Sequence, residues 1–562
     1  MQNILYHILR RMRRPLIVLI VAYAVSVLGF TLIPGLDDQG RPWRMDFFHA
    51  FYFVSFMGST IGFGEIPYPF TAAQRLWATL TIYVTVISWI YAIGSLLAIL
   101  QDARFRRVMA FAAFARRVRK QREPFYLICG YGDTGALLVR ELAERGIACT
   151  VVDRDENAMH ALEIEDLPLF VPGIAEDATE TDTLRAAGLE HPACRGLIAV
   201  TGDDAVNLHI AITAKLVAPG LEVICRADHQ DTQANMASFG TDHVINPFEA
   251  FAETFAMTFN SPSMHLVWEW VTAIHDTPLE DFLTPPIGDW VLCGFGHFGK
   301  ALYRRIREEG LPVRVIESNP EGTHPPQDTV AGRGTEAHTL EEADIRSAVG
   351  IIAGTDNDAN NLSILMTAKD LNPDLFTVAR QNRRNNQAIF EAFNPDILMQ
   401  PSTITARRIL SLITTPLLED FLELARRQDE DWANVLVARV TGVVTDRSPT
   451  TWALTLDEEE APAVTGLLTE GTRITLRHLL TDPHAPLQPL PCVPLLLKRG
   501  ATHILTPEAD TCLRQGDKLL FCGNEAVHRE MLLTARNFNM LHFIITGEDR
   551  PAGLVWRWLA RH

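Results

Sequence analysis

Hydrophobic positions follow three patterns along this chain. First come two long runs with no polar alternation, Pro15 to Ile33 and Leu76 to Leu100, each without a formal charge. About 20 apolar residues cross the hydrocarbon of a bilayer, so helices over 15–33 and 76–100 are predicted to span a membrane. The second pattern lies between them. Phe47 to Ser59 (FFHAFYFVSFMGS) is uncharged, too short to span and too apolar for a loop in water. It predicts a re-entrant half-helix over 46–59, with Asp46 as its N-cap. The third pattern starts near residue 124, where short apolar runs such as Phe125 to Cys129 and Trp290 to Cys293 alternate with helical stretches. Such brief, continuous runs read as buried strands of an α/β fold.

Charge sets an orientation. Residues 1–122 hold 15 Lys and Arg against 5 Asp and Glu, whereas the remainder holds 35 against 63. Arg10, Arg11, Arg13 and Arg14 precede the first span; Arg104, Arg106, Arg107, Arg116, Arg117, Arg119, Lys120 and Arg122 follow the second. Basic residues stay on the cytoplasmic side. The expectation is a cell inner membrane protein with its N-terminus and everything after Gln101 inside, and 34–75 outside. A signal peptide would need a small-residue cleavage site after the first run, and a second span follows instead. The eight cysteines show no CxxC or Cys/His metal spacing and read as reduced core thiols.

Directly after the half-helix the chain reads Ser59-Thr60-Ile61-Gly62-Phe63-Gly64-Glu65. Irregular backbone at membrane depth survives only where protein buries it or where it lines a watery cavity. This stretch therefore needs a pore. Gly62 and Gly64 suit backbone conformations that penalise a Cβ. The succession of span, half-helix, Thr-x-Gly-Phe-Gly and span resembles the potassium-channel signature, commonly written TVGYG. The resemblance implies four copies around one axis. The carbonyls of Thr60, Ile61, Gly62 and Phe63, with the Thr60 hydroxyl, then replace water around K⁺. Glu65 would form a ring of carboxylates at the outer mouth. Two positions depart from the family: Phe63 lacks the hydroxyl of the commoner Tyr, and Glu65 replaces the commoner Asp. Gly94, inside the second span, reads either as a gating hinge or as a small residue for close helix packing.

The remaining chain is a repeat. Strand Phe125 to Cys129 runs into Gly130-Tyr131-Gly132-Asp133-Thr134-Gly135, then a helical stretch, then a strand ending at Asp153. Trp290 to Cys293 and Gly294-Phe295-Gly296-His297-Phe298-Gly299 repeat the arrangement, and Glu317 follows Gly294 at the interval that separates Asp153 from Gly130. TGDDAVNLHIAITAKL (201–216) is echoed by GTDNDANNLSILMTAKDL (354–371). A lone GxGxxG is weak evidence, but two copies with strand, helix and acid in place predict tandem Rossmann-type units. The glycines let backbone N–H groups approach a phosphate, and Asp153 or Glu317 can accept from a ribose. Arg154, Asp177 and Thr201, at later strand ends, add to the first site; His297 and Lys300 flank the second. A fold kept only as scaffold is the competing reading for each.

The layout resembles prokaryotic potassium channels gated by two RCK (TrkA-type) units per subunit. That resemblance implies a homotetramer in membrane lipid and a cytoplasmic gating ring. It implies NAD(H) or an adenine nucleotide at the first unit and no nucleic-acid partner. The expected domains are a pore domain over 1–100, a basic linker over 101–123, Rossmann lobes with crossover helices over 124–286 and 287–430, and an α+β C-terminal lobe over 431–562. In that last lobe Asn434 to Val440 and Pro494 to Lys498 read as strands, and 541–562 as a tail docked on it. Ca²⁺ is a further candidate ligand at Asp429-Glu430-Asp431 or Asp457-Glu458-Glu459-Glu460, although neither has the alternating spacing of a known loop. Catalysis is not expected, because no substrate domain accompanies the Rossmann units. Three rivals remain: a weakly selective cation channel, a membrane-anchored NAD-dependent oxidoreductase, and a regulatory subunit of a K⁺ transporter.

Overall fold

The computed structural model describes residues 2–62, 64–273, 284–444 and 447–548. They fall into two compact units, 1–116 and 117–562. The first holds helices α1 (Gln2–Leu32), α2 (Phe47–Gly58) and α3 (Ala72–Gln101). Met12–Leu32 and Ala72–Gln101 are long and apolar enough to cross a membrane, and α2 is the short apolar helix expected between them. The N-cap of α2 is Asp46, whose carboxylate accepts the His49 N–H at 2.8 Å. Thr71 and Gln74 start α3 with a capping box. Helices α1 and α3 pack closely because Gly29 leaves room for the Trp77 indole, which a Cβ would meet at 2.1 Å. Helix α4 (Ala103–Val118) occupies most of the expected linker.

The second unit begins with a parallel sheet of β1 (Phe125–Cys129), β2 (Ala148–Asp153), β3 (Gly173–Ala175), β4 (Cys194–Ala199), β5 (Glu222–Arg226) and β6 (His243–Ile245). Its order is β3-β2-β1-β4-β5-β6, the doubly wound arrangement with a switch point between β1 and β4. Helices α5 (Asp133–Glu144), α6 (Asp204–Val217), α7 (Pro247–Asn260) and α8 (Pro262–Thr272) belong to this half. A second sheet repeats the order as β9-β8-β7-β10-β11-β12, from β7 (Trp290–Cys293), β8 (Val313–Glu317), β9 (Val330–Ala331), β10 (Gly350–Ala353), β11 (Phe376–Arg380) and β12 (Ile397–Met399). With it go α9 (His297–Glu308), α10 (Pro401–Thr414) and α11 (Pro416–Ala425).

The two lobes exchange helices. Phe248, Ala252 and Phe255 of α7 enter the core of the second lobe beside Trp290 and Phe298. Ala406, Ile409 and Leu410 of α10 enter the core of the first beside Leu137 and Leu138. Each lobe therefore buries the other's apolar stripe, which ties the pair by the hydrophobic effect.

One element differs from expectation. Residues 434–440 lie inside a helix, α12 (Glu430–Thr441), and are not a strand. The β-branched run suggested a strand, but Asp429 caps the Trp432 N–H at 2.9 Å, and Ala433, Leu436 and Val440 bury one helical face. Val493–Arg499 is the strand expected over 494–498, in an antiparallel sheet with Thr450–Thr455, Thr502–Leu505 and Lys518–Gly523. Of the expected tail, 549–562 lies outside the described residues. All eight cysteines are free, and five of them are buried.

Candidate functional site

In the membrane unit, α2 points its C-terminal end at the Thr60–Gly64 stretch. The Thr60 N–H bonds the Met57 carbonyl at 3.2 Å and the Ile61 N–H bonds the Phe56 carbonyl at 2.9 Å. Thr60, Gly62 and Gly64 take φ of +61°, +67° and +99°. A Cβ at Gly62 or Gly64 would meet no atom within 4 Å, so their glycines answer to backbone conformation and not to crowding. Phe63 lies outside the described residues. Glu65 is not a free carboxylate: it accepts from Arg75 Nε at 2.8 Å and from the Phe70 N–H at 2.9 Å. Gly94 has no atom within 4 Å of a notional Cβ, so nothing among the described residues packs against it.

Sequence reasoning missed what braces this unit. Trp77 Nε1 donates to the Ser26 carbonyl at 3.1 Å and Trp89 Nε1 to the Tyr23 hydroxyl at 2.6 Å, both between α1 and α3. No local signal announces pairs so widely separated along the chain.

The first Rossmann site forms where β1, β2, β3 and β4 end. Gly130, at φ +104°, lets the turn pass the next strand: a Cβ there would lie 2.8 Å from the Thr201 nitrogen. A Cβ on Gly135 would lie 2.0 Å from the Gly130 carbonyl oxygen, which fixes how closely α5 approaches β1. Gly132 caps α5 without a side-chain bond, leaving the first N–H groups to face an incoming anion. Tyr131 turns inward, its hydroxyl donating to Glu165 at 2.7 Å, while Thr134 is buried. Asp153 is partly exposed; its carboxylate accepts the Tyr131 N–H at 2.6 Å and the Asp155 N–H at 2.8 Å. Asp177 stands beside it, since the Glu176 N–H bonds the Asp153 carbonyl. The Thr179 N–H and hydroxyl, both at 2.8 Å, hold Asp177 below the usual carboxylate range, helped by the nearby charges of Arg154 and His209. Asp133, at the start of α5, accepts the Arg384 N–H from the second lobe at 3.0 Å.

The second site repeats the glycine geometry. Gly294 has φ +95°, and a Cβ on Gly299 would lie 2.0 Å from the Gly294 carbonyl oxygen. Gly296 caps α9, again without a side-chain bond. Glu317, however, is 6% exposed, with one oxygen on the Phe295 N–H at 2.6 Å and the other on the Asn319 N–H at 2.7 Å. His297 opens α9, and Lys300 lies over the Phe295 ring.

Asn207 and Asn361 hold both sites in shape. Each is fully buried, accepts from the hydroxyl of Thr201 or Thr355 at 2.7 and 2.6 Å, and donates to the carbonyl of Arg226 or Arg380. The echo of 201–216 in 354–371 contained both asparagines and was the signal available for them. The acidic clusters act as caps: Asp429 on α12, Glu430 on the Ser263 N–H, Asp457 on the N–H groups of Glu459 and Glu460. No group of three or more His, Cys, Asp and Glu side chains among the described residues can hold a metal ion, and the Ca²⁺ reading is not carried forward.

Comparison with known proteins divides the chain in the same way. The ion channel family matches residues 16–102, and the TrkA-N domain family matches 126–247 and again 290–401. "Potassium channel protein 1" of Methanocaldococcus jannaschii is 29% identical over 204 residues, 36% of this chain and 59% of the relative. "Probable potassium channel protein 2" of the same organism is 26% identical over 235 residues, 41% of this chain and 63% of the relative. A "Trk system potassium uptake protein TrkA homolog" of Pyrococcus horikoshii is 30% identical over 136 residues, 22% of this chain and 60% of the relative. The chain thus spans less than two thirds of each of these relatives. Among solved structures, "GsuK Channel" aligns over 97% of this chain and all of its own, with 16% identity and a TM-score of 0.48. "GsuK channel bound to NAD" aligns over 94% of this chain and 98% of its own, with 17% identity and a TM-score of 0.45.

Proposed function

The chain belongs with the prokaryotic potassium channels that join a two-helix pore to RCK (TrkA-N) domains, and from that premise we propose that four copies form a K⁺ pore controlled by a nucleotide on the first Rossmann lobe. The observation that carries the reading is the half-helix α2, capped at Asp46, set between two spans and running into glycines at left-handed φ. Four such stretches around an axis supply the main-chain oxygens that replace water around K⁺, from Thr60, Ile61, Gly62 and Phe63. The partial negative charge at the C-terminal end of α2 faces the same ion. Glu65 braces the outer mouth through Arg75 and the Phe70 N–H, and Gly94, with open space around a notional Cβ, is the hinge of α3.

ADP or NAD(H) binds the first lobe, its phosphates on the N-terminus of α5 and its ribose on Asp153. A ligand that favours one arrangement of the lobes shifts the pore by its difference in affinity for the two states. The chain sits in a cell inner membrane with its lobes in the cytoplasm, as the basic flanks of both spans direct.

The test is K⁺ flux into liposomes carrying the purified protein, with native mass spectrometry for subunit number. Wild type is expected to be tetrameric and to pass K⁺ well ahead of Na⁺. Gly62→Ala, which puts a Cβ at φ +67°, is expected to fold and to conduct nothing. Equal K⁺ and Na⁺ permeability would instead support a weakly selective cation channel, and full conduction by Gly62→Ala would remove the carbonyl filter.

A further inference from the structure

Two imidazoles touch where the first lobe meets the second glycine loop. The ring centroid of His229, in the loop after β5, lies 3.8 Å from that of His297, the first residue of α9, at an interplanar angle of 57°. His229 is held in place from behind. Its Nδ1 lies 2.7 Å from Asp204 Oδ2 at the start of α6, and its backbone N–H donates to the same oxygen at 2.9 Å. The Asp228 N–H also donates to that carboxylate, at 2.9 Å. The ring therefore presents a fixed face to the other lobe.

The charged groups around the pair belong to both lobes. Lys300 follows His297 on α9, and Asp204 and Asp228 approach from the first lobe. Asp228 is already in a bidentate pair with Arg226, at 2.8 and 2.9 Å. Arg380, at the end of β11, lies within the field of Asp228 and over the Phe248 and Phe298 rings. Burial pushes the His297 pKa below the ordinary histidine value, and His229 and Lys300 add to that; Asp228 and Asp204 oppose it.

We propose that the His229–His297 contact is a proton-operated latch between the two Rossmann lobes, closed while His297 is neutral and released when it gains a proton. Protonation places a cation close to Lys300 and against a ring held by Asp204. The direction follows from linkage. A base whose pKa is lowered in the contact binds fewer protons there than when the lobes part. The contact is therefore at full strength above about pH 6.5 and weakens as pH falls below it. One proton limits the change to about tenfold per pH unit. Elsewhere between the lobes the Arg384 N–H bonds Asp133, and His243 of β6 lies 3.9 Å from Glu419 of α11, a pair that acid would strengthen, so the test follows the 294–300 peptide alone. The latch needs no nucleotide and stands apart from the ligand reading.

Hydrogen exchange of the full-length protein in lipid nanodiscs tests it, followed on the peptide over 294–300. Comparing wild type with His229→Gln on this unaltered peptide at equal pH cancels intrinsic exchange chemistry. Between pH 7.5 and 5.5 the wild-type peptide is expected to lose protection several-fold, and the His229→Gln peptide to show no acid-dependent loss. His229→Lys places a cation opposite His297 and is expected to show the acid release; it decides the matter should His229→Gln lose protection across the whole chain. A wild-type peptide indifferent to pH, the same acid-dependent loss in His229→Gln, or no release in His229→Lys overturns the proposal.

Discussion

The two Rossmann lobes share a backbone and differ in what that backbone offers to a ligand. Glycines, strand order and the Thr–Asn network are the same in both, down to a notional Cβ 2.0 Å from the first glycine's carbonyl. The acids differ. Each accepts one N–H from its glycine loop and one from two residues further on, but Asp153 stays partly exposed, whereas Glu317, one methylene longer, is 6% exposed. The neighbouring strand ends differ too. The Glu176 and Gly332 N–H groups make equivalent bonds, to the Asp153 and Glu317 carbonyls, so Asp177 of the first lobe corresponds to Arg333 of the second. The fingerprint glycines thus report how a helix packs on a sheet, and the exposure of the acid reports whether a ribose can reach it.

Substitutions at three pairs of positions would break or sharpen that contrast. The largest effect is expected where the lobes agree: Gly135→Ala and Gly299→Ala each drive a Cβ into a carbonyl and should each cost about 3 kcal/mol. Thermal unfolding would show it, and tolerance of either change would mean that the two loops are not equivalent. Next, Asp153→Asn should weaken ADP or NAD binding by at least about tenfold in calorimetry, the loss of a charge-assisted hydrogen bond. Glu317→Ala should leave that affinity alone and instead destabilise its lobe by about 1–3 kcal/mol, since the Phe295 and Asn319 N–H groups lose their acceptor. The smallest difference is expected at the strand ends, where Asp177→Ala should cost about threefold in affinity and Arg333→Ala nothing measurable.

Much of this architecture is legible from spacing alone. Two long charge-free runs give the spans, Asp46 gives the start of α2, and the repeated interval from glycine to acid gives the two lobes. Local patterning failed at 434–440, where β-branched residues hid a helix whose evidence is the cap at Asp429 and burial at Ala433, Leu436 and Val440. It also could not show that Glu65 meets Arg75, that Asp133 meets Arg384, or that Glu317 is closed while Asp153 is open. Those facts depend on where separate elements come to rest, and a residue's type does not encode its neighbours across the fold.

Planar-bilayer recording of K⁺ current, with ADP or NAD added on the lobe side, tests most directly whether the open site of the first lobe governs the pore. Wild type and Glu317→Ala should change open probability with nucleotide, and Asp153→Asn should not respond at the same concentration. A response lost in Glu317→Ala and kept in Asp153→Asn would contradict the account.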